Sequence, residues 1–173
     1  MYDVATAAVE AALTAGARYA DARVMESRSE VVAARNGHVE LVDRGERAGV
    51  GVRALIGSSW GFFAVPDPSP AGARLAGERA AAIARASARV AGPAVELVPV
   101  PPATGSWASP CEEDPWGVPL DEKAALLEGV TQTMQANGAD TALATSNVWE
   151  TRKWLVSARG PASTSTSASA GPG

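Results

Sequence analysis

Apolar positions recur at two different periods along the chain. Between Asp3 and Ala15, residues Ala5, Val9, Ala12 and Leu13 fall three to four apart, which predicts a helix, and Gly16 is the residue type that ends helices in the left-handed conformation. From Tyr19 the period drops to two. Ala20, Ala22 and Val24 alternate with Asp21 and Arg23, the mark of a strand buried on one face. The runs from Ser29 to Arg35 and from His38 to Leu41 flank Asn36-Gly37, a pair suited to a type I′ hairpin because both central residues need positive φ. Ala48 to Ile56 sets Val50, Val52, Ala54 and Ile56 against Gly49, Gly51 and Arg53, and Trp60 to Val65 follows the turn Gly57-Ser58-Ser59. An antiparallel meander of about five strands is expected, because connections this short make hairpins and not parallel crossovers.

The second half returns to helical spacing. Ser69 is placed to cap a helix opened by Pro70, whose missing N–H costs nothing in the first turn. Leu75, Ala76, Ala80, Ile83, Ala84 and Val90 are expected on its buried face, Arg74, Glu78, Arg85 and Arg89 on its solvated face, and Gly92-Pro93 at its end. Ala94 to Val100 reads as a short strand, and 103–118 as a long Pro- and Trp-bearing loop that is either functional or draped over the core. A third helix is expected over Pro119 to Ala136, with Leu120, Ala124, Leu127, Val130 and Met134 inward, followed by strands over Thr141 to Glu150 and Lys153 to Ala158. Residues 161–173 are a Ser/Thr/Ala tail without a large apolar residue and are expected to be disordered. With helices and strands segregated, the fold class is α+β: an antiparallel β-meander packed against a few α-helices in one domain over 1–160.

Composition narrows the function classes. At 173 residues with 46% hydrophobic and 20% charged residues, the chain can bury a core and is not disordered by composition. Fifteen Lys and Arg against 19 Asp and Glu, a net charge of −4, argue against nucleic acid as a partner. No apolar run approaches the ~20 residues of a membrane span, and the N-terminus lacks a basic region followed by an apolar one, so no membrane partner and a cytoplasmic location are expected.

The single Cys111 excludes an internal disulfide. Cys111 with the single His38 could form a nucleophile and base only if held within hydrogen-bond reach. His38 follows a hairpin turn and Cys111 lies in the Pro-rich loop, so a surface histidine and an incidental thiol are the preferred reading. Glu112, Glu113 and Asp114 read as a solvated acidic loop, since consecutive side chains rarely converge on one cation. Gly49-Val50-Gly51-Val52-Arg53-Ala54 matches the spacing of a dinucleotide-binding turn, with Asp67 downstream, but in a β-patterned run that opens no helix.

Several of these stretches together resemble the N-terminal domain of the TldD/PmbA family. They are Gly16-Ala17-Arg18-Tyr19-Ala20-Asp21-Ala22-Arg23, Asn36-Gly37 with Val39-Glu40, Gly49 to Ala54, Trp60-Gly61-Phe62, Glu78 to Ser87, and then Ser109-Pro110, Asp114-Pro115, Val118-Pro119-Leu120 and Glu122-Lys123. The likeness runs from about Val4 to Gly160. The resemblance implies a cytoplasmic, zinc-dependent peptidase family working as homo- or heterodimers, in which an N-terminal α+β domain helps pair subunits and enclose peptide substrate. The zinc motif H-E-x-x-x-H belongs to a separate C-terminal domain and has no counterpart here, so no catalytic, cofactor or metal residue carries over to this chain, and zinc is expected only in the complete protein. Trp60, Phe62 and Phe63 are expected to divide between core and interface.

The likeness stops at about Gly160, which raises the expectation of a truncated or frameshifted peptidase gene product, inactive alone. The alternatives are a stand-alone binding or regulatory module that pairs with a complete catalytic subunit, and a thiol hydrolase using Cys111.

Overall fold

The computed structural model describes residues 1–90, 92–93, 95–99, 101 and 104–172, with the backbone alone from 160 onward. Its elements in chain order are α1 (Tyr2–Thr14), β1 (Tyr19–Arg35), β2 (His38–Ile56), β3 (Ser59–Val65), α2 (Pro70–Ser87), β4 (Gly105–Ala108), α3 (Leu120–Ala136), β5 (Leu143–Ser157) and β6 (Gly160–Pro172). The six strands form one sheet in the order β3-β2-β1-β5-β6-β4. The fold is α+β, as the sequence indicates.

The meander has three strands where about five were expected. β1 runs unbroken for 17 residues and β2 for 19, because the polar stretches 26–29 and 43–47 contain no turn-forming pair and simply continue extended. The expected hairpin is present: Asn36 (φ 49°) and Gly37 (φ 85°) join β1 to β2. β2 and β3 pair antiparallel from Val50↔Val65 to Ile56↔Ser59, across a turn made by Gly57 and Ser58. The two strands expected after α3 are one, β5. It runs antiparallel to β1, since Asn36 N–H donates to Ala142 at one end and Ala158 N–H to Ala20 at the other.

Three further expectations change. Ala94 and Val100 lie outside the described residues, but the described residues between them form no strand; a short strand, β4, lies instead inside the expected loop. Residues 161–173 were expected to be disordered, yet 160–172 run as β6. A strand is held by main-chain pairing, which needs no anchoring side chain, and Thr164 and Thr166 favour extended backbone. The helix opened by Pro70 ends at Ser87, well before Gly92-Pro93.

Two compact units are present: Met1–Glu26, Arg47–Trp107 and Arg152–Ser165 form one, and Ser27–Glu46 and Ala108–Thr151 with the end of β6 form the other. In the first, α1 and α2 cover Ala20, Ala22, Val24, Val50, Val52 and Ala54. The face of α2 that packs inward is Gly72, Ala73, Ala76, Gly77, Ala80, Ala81 and Ala84, while Leu75, Ile83 and Val90, expected inside, are exposed. The reason is proximity. A Cβ on Gly61 of β3 would collide with the Ala80 carbonyl and the Ala84 nitrogen, and one on Gly77 would collide with the Ala8 carbonyl of α1. At backbone-to-backbone distance only small side chains fit.

In the second unit α3 lays Lys123, Leu127 and Thr131 on the sheet, where Leu127 and Leu120 meet Val32, Ala34 and Ala144. Val130 and Met134, expected inside, are exposed. The buried polar members of that stripe have matched partners. Lys123 Nζ donates to Glu30 at 2.6 Å, and the Gly37 N–H donates to the Thr131 hydroxyl at 2.9 Å. In the loop before α3, the Trp116 ring lies 4.1 Å from the Arg28 guanidinium, so this segment drapes over β1.

Candidate functional groove on the open face of the sheet

Alternation along β1, β2 and β3 sends one set of side chains toward the helices and the other to a face that α1 and α2 do not cover. On that face of the first unit, Asp21 and Arg53 form a bidentate pair: Nε to Oδ1 is 3.0 Å and Nη2 to Oδ2 is 2.7 Å. The Asp21 side chain is 4% exposed and that of Arg53 is 46%, so the carboxylate is enclosed while the guanidinium reaches solvent. Arg53 also lies 5.3 Å from the Trp60 ring centroid, and Trp60 meets Tyr19 edge-on at 5.7 Å.

The electrostatics follow from this packing. The hydrogen bonds that Arg53 donates to Asp21 hold its guanidinium even more firmly protonated than usual, against an opposing effect of burial. Burial, assisted by the Asp21 charge, pushes the Tyr19 phenol above its ordinary value.

Beside this pair is a groove of about 300 Å³. Its floor is Gly49 and Gly51, its walls are Met25 and Phe62, and Asp21 and Arg53 close one end. The Phe62 ring lies over Gly51, where an added Cβ would stand 3.3 Å from it. Met25 is 39% exposed and Phe62 60%. Such a site offers an apolar slot beside a fixed charge pair, which suits an extended chain with an apolar side chain.

The residues singled out in the sequence fall elsewhere. His38 is exposed at the start of β2. Cys111 is exposed, and its thiol donates to the Glu113 carbonyl at 2.9 Å. Asp114 accepts the Trp116 N–H at 3.0 Å, closing a local turn. Gly49 to Ala54 sit within β2, and Asp67 accepts the N–H of Ser69 at 3.0 Å, the residue whose hydroxyl caps α2 by accepting the Gly72 N–H at 3.1 Å. Phe63 packs partly buried against the core, while Trp60 and Phe62 occupy the open face. Among the described residues no three His, Cys, Asp or Glu side chains converge as a metal site would require, so the residues present do not fit zinc. No helix among the described residues is long and apolar enough to cross a membrane.

The fold and groove define the class: an α+β sheet domain with an open, partly apolar sheet face. Residues 20–84 match the family described as PmbA/TldA metallopeptidase domain 1. That stretch is similar to an N-terminal domain of the PmbA/TldD family. No curated protein matches it.

Solved structures share the fold at low identity. TldE from Thermococcus kodakarensis is 15% identical with a TM-score of 0.68, over 96% of this chain and 37% of that one. A protein from Bacteroides thetaiotaomicron described as a candidate modulator of DNA gyrase is 13% identical with a TM-score of 0.72, over 96% of this chain and 38% of that one. A similarly described protein from Thermotoga maritima is 12% identical with a TM-score of 0.56, over 97% of this chain and 37% of that one. The chain therefore spans well under half the length of these relatives.

Proposed function

We propose that the chain is the noncatalytic N-terminal part of a TldD/PmbA-type zinc metallopeptidase of the cytoplasm, contributing subunit pairing and enclosure of peptide substrate. The observation that carries this reading is the match of residues 20–84 to the first domain of that family. The groove supports it. A slot floored by Gly49 and Gly51 and walled by Met25 and Phe62 takes an apolar side chain of an extended peptide, and Arg53 stands where a peptide carbonyl or carboxylate would meet it.

Co-expression of the tagged chain with a complete family subunit bearing H-E-x-x-x-H tests the pairing. The two are expected to co-elute as a defined complex, and Phe62→Asp is expected to weaken that complex's binding of a labelled unfolded peptide without dissociating it. Failure to co-elute overturns the pairing role; unchanged peptide binding by Phe62→Asp overturns the role of the groove.

A further inference from the structure

β2 is 19 residues long, but β3 pairs only with Val50 to Ile56. The only strands beside β2 are β3 and β1, so its outer edge from His38 to Gly49 has no strand partner among the described residues. Every residue from His38 to Arg44 is exposed, including Leu41 at 47% and Val42 at 45%. An unpaired edge this long is a template for another strand. Near its start the Val39 N–H is taken by α3, donating to Glu128 at 3.1 Å.

The residues on this edge say which strand it fits. In an antiparallel pair related by a two-fold axis, opposed residues must share a face, so the register can shift only in steps that keep the pleat. With the axis at Val42, His38 opposes Glu46 of the second copy, Glu40 opposes Arg44, and Val42 opposes itself. Glu40 and Arg44 then each meet an opposite charge on both sides of the axis and Glu46 meets an imidazole, while Asp43 faces Leu41. Moving the axis to Asp43 sets Asp43 against itself and Glu40 against Glu46; moving it to Leu41 sets His38 against Arg44. Moving it to Arg44 opposes two guanidinium groups, and moving it to Gly45 carries Glu40 onto Val50, an edge β3 already occupies. Like charges directly opposed disfavour the Asp43 and Arg44 axes, and the Leu41 axis sets none of these acidic side chains against a basic one.

We infer that residues 38–46 of β2 are a self-complementary edge, joining two copies of this chain into a continuous antiparallel sheet across Val42. The inference rests on the subunit-pairing reading above and names the surface that does the pairing.

The test is sedimentation velocity over a concentration series, with cysteine cross-linking in a Cys111→Ser background. Opposed Cβ atoms in such a pair stand about 4.5–5.5 Å apart, within reach of a disulfide after small adjustment. Val42→Cys is expected to give a covalent dimer under mild oxidation, whereas Leu41→Cys, opposed to Asp43, is not. Glu40→Arg turns two attractive cross-strand pairs into two repulsive ones and is expected to raise the dimer Kd about tenfold. A dimer in which Val42→Cys does not cross-link, or whose Kd Glu40→Arg leaves unchanged, overturns this surface and leaves subunit pairing standing. A chain that stays monomeric throughout overturns self-pairing, and co-elution with a complete family subunit then decides the broader reading independently.

Discussion

Gly61→Ala tests the packing logic of the first unit most directly. The Cβ it adds would fall on the Ala80 carbonyl oxygen and the Ala84 nitrogen of α2, inside the 3.0 Å that real Cβ atoms essentially never breach, and 3.1 Å from the Ala84 Cα. These are backbone atoms, so no side chain can swing aside, and α2 must retreat from β3 by on the order of 1 Å. Retreat is blocked on another side, because Gly77 already brings α2 against the backbone of α1 at Ala8. Overpacking of a well-filled core costs about 1–3 kcal/mol, and a two-sided backbone clash belongs at the top of that range. At about 2–4 °C per kcal/mol for a chain of this size, the melting temperature should fall by roughly 6–12 °C. Urea unfolding followed by far-ultraviolet circular dichroism measures the change. Gly129→Ala is the control, since nothing lies within 4 Å of its added Cβ in the exposed part of α3, and it should stabilise by about 0.5–1 kcal/mol. A Gly61→Ala protein within 0.5 kcal/mol of the parent, with the same slope in urea, would refute the argument.

Acid unfolding should report on Glu30. Burial alone would raise its carboxyl, but hydrogen bonds from Lys123 and Arg44 outweigh that and hold it below the ordinary glutamate value of 4.5. The unfolded chain therefore takes up this proton first; the contribution is fully present above about pH 4.5 and is lost as pH falls through the lower folded value. Glu30→Gln should cost about 3–5 kcal/mol near neutrality, because it leaves Lys123 buried without its carboxylate, and should flatten stability against pH in that acid window. Asp21→Asn should lower the Tyr19 titration, seen by ultraviolet absorbance, since the Asp21 charge helps to raise it; an unmoved curve would leave burial as the only cause. Phe63→Ala should cost about 2–4 kcal/mol and Phe62→Ala under 1 kcal/mol, in keeping with one ring against the core and the other on the open face; equal effects would contradict that division.

Periodicity reveals which residues share a face, and it does so well here: α1, the Asn36-Gly37 hairpin, the β2–β3 turn and the Ser69 cap all follow from local chemistry. It does not say which face turns inward. Leu75 and Ile83 are the larger apolar residues of α2, yet Gly61 and Gly77 let two backbones approach so closely that only the alanine stripe fits beneath. In α3 the inward stripe carries Lys123 and Thr131, which hydropathy assigns to solvent, because Glu30 and the Gly37 N–H wait opposite them. The groove was partly visible as well. Asp21 and Arg53 are both outward-facing in their alternating runs and opposite in charge, but their pairing depends on how the register set at the distant Asn36-Gly37 turn carries along the length of β1 and β2.

The charges along the β2 edge are not loose surface groups. Exposed ion pairs usually contribute little, because two long side chains must be immobilised to form them. Here much of that ordering precedes any association. The Arg44 side chain is 60% exposed, yet its Nη2 is 2.6 Å from Glu30, whose own side chain is 2% exposed and also holds Lys123. Glu40 is 2.8 Å from Arg35 across the hairpin. A second strand arriving at this edge meets a cation and an anion already fixed in place by their neighbours within the sheet. The entropic cost of docking is correspondingly smaller, and the same network that seats α3 on β1 determines the register in which two copies can meet.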